Sequence, residues 1–199
     1  MRSALANHEV PLRLHVKTTK SVEAARLAFD GGTGPITVST LVEAEHFFDH
    51  GFTDVLYAVG LAPAKLPRAE ALVRRGCALT VAVDNLQAAR ALREFCATRG
   101  LRIPALVEID TDGHRAGLCP EAAVLLEVAR ELEAPGGSLL AGVMTHAGNS
   151  YTSTSTEEIR SWAERERSLV GEAAERLRDA GFPCPSVSVG STPTALFAR

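Results

Sequence analysis

What most constrains this chain is its alternation. Seven short apolar runs recur along it, and each is followed by a stretch with helical rhythm. The runs are LRLHV (12–16), ITVS (36–39), DVLYAV (54–59), ALTVAV (78–83), PALVEID (104–110), SLLAGVMTH (138–146) and SVSV (186–189). Most are leucine-rich or β-branched with little polar alternation, as in strands buried on both faces. The segments between them carry helix punctuation. Thr40 with Glu43 makes a capping-box pattern that Gly51 stops. Asn85 caps the next helix and Gly100 ends it. Pro120 stands where a first-turn proline belongs, and APGG (134–137) closes that helix. Ser155 with Glu158 opens the longest helix. Its Ile159, Trp162, Leu169, Val170, Ala173 and Leu177 keep a 3.6-residue period until Gly181. Strict alternation of β and α units implies a parallel sheet with right-handed crossovers. An open doubly wound sheet and a closed barrel both satisfy it.

The polar residues favour the barrel. Chemically capable side chains follow every run: Lys17; Ser39 and Thr40; Tyr57; Asp84; Asp110, His114 and Arg115; His146 and Tyr151; and GSTPT (190–194). A (β/α) barrel gathers its function at the C-terminal strand ends, whereas an open sheet concentrates its ligand at one switch point. Taken singly, Tyr57 and Asp84 read as ordinary strand-end polar residues. Length and charge set further bounds. The 199 residues fit one domain, and the net charge of −3 argues against a nucleic-acid partner. No run approaches the length of a membrane span, and the N-terminus lacks the apolar core of a signal peptide, so a cytoplasmic protein is expected. The four cysteines, at 77, 96, 119 and 184, are too scattered to clip a zinc ion and read as reduced, mostly buried thiols.

Two of these strand ends stand out. Lys17 directly follows LRLHV and so sits at the mouth of an apolar barrel. Partial desolvation there disfavours the ammonium form and frees the amine to attack an aldehyde. In GSTPT, Gly190 permits a close backbone approach, Ser191 or Thr192 can cap, and Pro193 suits a helix start. Backbone N–H groups and the positive helix end then face outward, an arrangement that suits phosphate. A lysine at one strand end and a phosphate cradle at another suggest a phosphorylated carbonyl ligand. Pyridoxal 5′-phosphate (PLP) is one, and a phosphosugar handled by an aldolase is another.

The segment LRLHVKTTKS (12–21) resembles the Schiff-base segment of the fold-type III PLP enzymes, the alanine-racemase-like barrels. The likeness is closest to the D-serine dehydratase and D-threonine aldolase family. VEIDTDGHRAG (107–117), GVMTHAGNSY (142–151) and SVGSTPT (188–194) look like further blocks of that family, in its order. The THAGNSY block looks more like the dehydratase branch. The resemblance implies that residues 1–199 are a PLP-binding (β/α)8 barrel domain of the TIM type, incomplete at about seven strands. It implies Lys17 as the Schiff-base lysine and, with Tyr151, as a catalytic residue. It implies Gly190, Ser191 and Thr192 as the phosphate loop. It places His146 against the pyridine ring, Tyr151 near the phenolic oxygen or the substrate, and His15 and Arg115 at the cofactor, with Arg115 tuning its charge. Lys20 is then a solvated neighbour.

The family usually has histidine where this chain has Thr19. Its leading strand and first helix are reduced to residues 1–11, and its eighth strand and C-terminal β-domain lie outside the sequence. In relatives that domain carries the divalent-metal ligands, so none is assignable here. The implied activity is a PLP-dependent lyase acting on a D-3-hydroxy amino acid, as a dehydratase or an aldolase. Expelling a β-hydroxyl needs a Lewis acid or a general acid. The chain alone is therefore expected to bind PLP weakly and turn over little. A non-catalytic PLP-homeostasis barrel, or an inactive fragment of a longer enzyme, remains the alternative. An incomplete barrel invites self-association, and a homodimer is one way of covering its edges.

Overall fold

The computed structural model describes residues 5, 8–113, 115–136 and 138–198; His114 and Gly137 lie outside the described residues. All seven apolar runs are strands. They are β1 (Leu14–His15), β2 (Ile36–Val38), β3 (Asp54–Gly60), β4 (Ala78–Val83), β5 (Pro104–Glu108), β6 (Leu139–Met144) and β7 (Ser186–Ser188). They pair in parallel in simple sequential order, β1 to β7. After them come α1 (Val22–Leu27), α2 (Leu41–Asp49), α3 (Leu66–Arg74), α4 (Leu86–Arg99), α5 (Val124–Glu133), α6 (Thr156–Asp179) and α7 (Thr192–Phe197).

The central strands β2 to β6 bury much of both faces, whereas β1 is half-buried and β7 largely exposed. Ile36, Val38, Val55, Val81, Val83, Val107 and Val143 pack outward against the helices in one large core. Leu56, Ala82, Leu106 and Met144 form a small second core on the inner face. Removing that much apolar surface from water at roughly 25 cal/mol per Å² is what holds the curled sheet to its helical layer. Sequential order, one helix per strand and an apolar lumen make this a (β/α) barrel wall of seven units. β1 and β7 do not pair with each other, so among the described residues the wall is open there.

The helix punctuation is mostly where the sequence puts it. Thr40 makes a full capping box with Glu43, Asn85 accepts from Ala88 N–H, and Gly100 is the left-handed C-cap at φ 62°. Two details differ. Pro120 lies in a turn, and α5 begins four residues later with no side-chain cap. Ser155 accepts from Glu158 N–H, but Glu158 reaches back to Thr154 N–H rather than to Ser155. Tyr57 is fully buried on the outward side, where its hydroxyl accepts from Lys65 Nζ at 2.6 Å. Adjacent strand residues face opposite ways, so Tyr57 belongs to the helical layer while Leu56 lines the lumen. Cys77, Cys96 and Cys184 are buried and Cys119 is exposed; all four are unpaired.

Candidate active site

A cleft of about 1780 Å³ occupies the lumen, opens at the C-terminal strand ends and runs out through the gap between β7 and β1. Lys17, His15, Arg115 and His146 all line it, as do Tyr151, Gly190, Ser191 and Thr192. Residues spread over most of the chain thus meet in one space, because a parallel barrel puts every strand end on the same rim.

On one wall, β1 alternates Arg13, His15 and Lys17 toward the lumen. Lys17 is exposed. The desolvation expected at a closed mouth is not in place, since the wall beside β1 is open. The backbone N–H of Lys17 donates to His15 Nδ1 at 3.3 Å, and His15 Nε2 lies 3.5 Å from Ser39 Oγ. Burial, with the nearby Lys17 ammonium second, pushes His15 down to about 4. The ring is therefore neutral at pH 7. A backbone N–H can only donate, so Nδ1 is the acceptor and the ring proton sits on Nε2, toward Ser39. Lys20 is exposed as expected but not free: its Nζ lies 3.4 Å from the buried Glu43. Glu43 also accepts from Ser39 N–H at 2.8 Å, so it ties the loop after β1 to the loop after β2.

The opposite wall is built by the loops after β6 and β7. His146 follows β6, and its Nδ1 lies 3.2 Å from the carbonyl oxygen of Gly190. A carbonyl can only accept, so Nδ1 carries the proton. Burial is the main cause holding the ring's pKa below the usual histidine value. His146 therefore keeps a lone pair on Nε2. A short 3₁₀ turn, Gly148–Tyr151, then brings the half-exposed Tyr151 ring to 5.8 Å from the His146 ring. Arg115 reaches this turn from the β5 loop: a Cβ at Gly148 would collide with Arg115 Nε.

After β7, Gly190 adopts φ +124°, a conformation that side chains rarely accept. Ser191 caps α7. Its N–H donates to Thr194 Oγ1 at 2.8 Å and its hydroxyl accepts from Thr194 N–H at 3.3 Å. The same hydroxyl is buried at 2.7 Å from Ser150 Oγ. It faces the protein rather than the cleft. Thr192, at the first helical position, is exposed and lines the cleft.

Two carboxylates escaped the reading of the sequence. Glu108 ends β5 inside the lumen, where burial, with Asp84 second, pushes its pKa up while Arg115 opposes. Glu166, on the inner face of α6, accepts from Ala147 N–H and Gly190 N–H. Nothing marks either in sequence except a charged residue at an apolar position of its element. Asp84 is half-buried at the end of β4, held by Asn85 Nδ2 at 2.6 Å. Asp110 accepts from the N–H groups of Asp112 and Gly113, closing its own loop.

An amine, a glycine-shaped helix start, an arginine and a neutral histidine lining one cleft define a barrel domain suited to an anionic, phosphorylated aldehyde. PLP fits this donor set, in which Lys17 would supply the amine and Thr192, at the helix start, would be the group near a phosphate. Gly190 keeps the loop free of a side chain.

Comparison with known proteins carries the assignment further. The chain belongs to the family of the alanine racemase N-terminal domain, whose model matches residues 1–199. It is a family of fold-type III PLP enzymes. The chain is 50% identical over all 199 residues to the D-threo-3-hydroxyaspartate dehydratase of Delftia sp. HT23, covering 52% of that protein. The solved structure of that enzyme superposes over the whole chain with a TM-score of 0.96. The D-threonine aldolase of Filomicrobium marinum is 26% identical with a TM-score of 0.86, covering 98% of this chain and 52% of that one. The chain thus spans about half the length of these relatives. An uncharacterised Mycobacterium tuberculosis protein is 34% identical over 161 residues, which are 80% of this chain and 90% of that protein. A variant of the Delftia enzyme has been solved in a metal-free form, which implies a metal in that relative. Among the described residues here, no group of three or more His, Cys, Asp or Glu could hold a metal ion. No helix among them is long and apolar enough to cross a membrane.

Proposed function

We propose that this chain is the PLP-binding barrel of a lyase acting on D-3-hydroxy amino acids, the class that includes D-threo-3-hydroxyaspartate, D-serine and D-threonine. The observation that supports it best is the convergence of Lys17, His146, Tyr151, Arg115 and the Gly190–Thr192 loop on one cleft. PLP, when bound, supplies an electron sink for a bond at the substrate's Cα. The chain's own residues supply the rest. Lys17 would hold PLP through its amine and would be the base for the substrate's α-proton. Thr192, at a helix start two residues after Gly190, would hold the phosphate. His146, neutral, would pack against the ring, and His15 would contact the cofactor from beside Lys17. Tyr151 stands where a phenolic oxygen or substrate hydroxyl would be met. Arg115 would add positive charge beside the ring. Loss of a β-hydroxyl also needs an acid, and we assign that group to no residue of this chain.

The substrate is thus a small D-amino acid. Four unpaired cysteines suit a reducing, cytoplasmic setting. The open wall between β7 and β1, with Val187 and Val189 more than 40% exposed, suits association of two copies. The short mycobacterial relative, nearly spanned by this chain, favours a second reading in which the barrel binds PLP without turnover.

The test is PLP titration of the 199-residue chain, wild type beside Lys17→Ala, followed by borohydride fixation and peptide mapping. A visible band that is absent in the mutant, with PLP fixed on the Lys17 peptide, supports the site. Fixation at another lysine, or equal bands in both proteins, refutes it. Turnover of D-threo-3-hydroxyaspartate or D-serine then separates the lyase from the PLP carrier.

A further inference from the structure

The cleft accounts for Lys17 and for the two loops facing it, but not for the carboxylate behind them. Glu166 lies on α6 between Ala163 and Val170, on the stripe that continues through Ala173 and Leu177. It is 2% exposed. An apolar side chain is what this stripe otherwise carries, and burying a carboxyl there is unfavourable unless it is hydrogen-bonded. It is. Its Oε1 accepts from Ala147 N–H at 2.9 Å and from Gly190 N–H at 3.1 Å. Ala147 is the residue after His146, and Gly190 precedes Ser191 and Thr192. One oxygen atom therefore joins the β6 loop to the β7 loop. The His146–Gly190 hydrogen bond is a second link across the same seam.

We propose that Glu166 is a positioning residue that sets the spacing between His146 and Thr192, so that ring and phosphate contacts fall on one ligand. The role rests on the PLP reading of the cleft. Each loop carries part of the binding surface. With the carboxylate in place both are ordered before the ligand arrives. Without it, binding must order each loop separately, and affinity falls. The buried Ala147 N–H and the half-buried Gly190 N–H would also lose their acceptor.

The experiment compares wild type with Glu166→Leu, which suits the apolar stripe but removes both acceptors, and with Glu166→Gln, which retains Oε1. Two quantities are read: the PLP dissociation constant by absorbance titration, and amide hydrogen exchange without PLP at residues 145–151 and 188–194. Glu166→Leu should weaken PLP by about tenfold or more, equivalent to about 1.4 kcal/mol. It should speed exchange in both segments while β3 and β4 keep their protection. Glu166→Gln should stay within about threefold of wild type, which a loss of bulk structure would not allow. If Glu166→Leu does not fold, Glu166→Asp replaces it, since the shorter carboxylate cannot reach both N–H groups. Unchanged exchange in the loops overturns the link. Faster exchange with unchanged PLP affinity overturns the positioning role and leaves the PLP site standing. Absence of saturable PLP binding by wild type overturns the PLP reading, and the positioning role with it, while exchange still reports whether the two loops are joined.

Discussion

Replacing Gly148 by alanine should injure the site without injuring the fold. Gly148 sits in the 3₁₀ turn after β6, and its backbone needs no left-handed conformation. An added Cβ would collide with Arg115 Nε and lie 3.1 Å from both Cζ and Nη2. Ordinary carbon contacts are about 3.5–4.0 Å, so the Nε end of the guanidinium must retreat by roughly 1–2 Å. Arginine is long and Arg115 is exposed. The move costs only a rotamer adjustment of about 0.5–1.5 kcal/mol. Loss of glycine's freedom in the unfolded chain offsets about 0.4–1 kcal/mol of that. Net stability should change by less than about 1 kcal/mol. PLP binding is a different matter if Arg115 holds charge beside the cofactor. A hydrogen bond to a charged group is worth about 1.5–3 kcal/mol, so affinity should fall by roughly 10- to 100-fold. Thermal melting and PLP titration of Gly148→Ala, Arg115→Ala and the double variant form a cycle. Either single change should cost about the same, and the second should add little to the first. Full additivity, or a Gly148→Ala protein that binds PLP like wild type, would refute the placement of Arg115.

Two further outcomes follow from the same geometry. Gly142 lies at the irregularity where β6 pairs with β5, at φ +129°, and a Cβ there would strike Ser186 O and lie within 2.9 Å of Ser186 N. The strain of about 1–3 kcal/mol joins a backbone collision that no rotamer relieves. Gly142→Ala should therefore lose about 3 kcal/mol or more, or roughly 6–12 °C in Tm for a chain of this length. A loss below about 1 kcal/mol would show that β7 can shift freely. The pH dependence of stability should carry the mark of His15, whose pKa falls from 6.5 in the unfolded chain to about 4. Below pH 6.5 the unfolded chain binds the proton that the folded one refuses. The contribution is thus complete above pH 6.5 and is lost as pH falls toward 4. Discounted for its partial exposure, it amounts to about 1–2 kcal/mol. Denaturant melts of wild type and His15→Asn across that window should show the difference shrinking as pH falls. The raised carboxyls Glu108 and Glu166 act in the opposite direction and cancel between the two proteins. A flat difference would mean that His15 is not held neutral.

The sequence by itself determined the strands, their order of appearance and the rim. Runs such as ALTVAV and ITVS are apolar at the positions that face the helices (Ile36, Val38, Leu79, Val81 and Val83) and carry small side chains toward the lumen, and that pattern needs no partner to be read. Caps such as Thr40–Glu43, Asn85 and Gly100 are equally local, because a helix end is satisfied within three or four residues of itself. Lys17 and GSTPT were legible for the same reason: each sits at a strand end, and a strand end in an alternating chain lies on one rim. Tertiary structure decided what those residues touch. Only the paired loops show that Ser191 spends its hydroxyl on Ser150 and Thr194, leaving Thr192 to face the cleft. Only the packing of α6 against the β6 and β7 loops reveals Glu166, since a glutamate in WAERERS differs from its neighbours solely by which side of the helix faces inward. Burial, which set the ring protons of His15 and His146, depends on atoms supplied by distant strands. Hydrogen bonds across 24 and 44 residues carry no local signature, and for that reason they had to be seen in the fold.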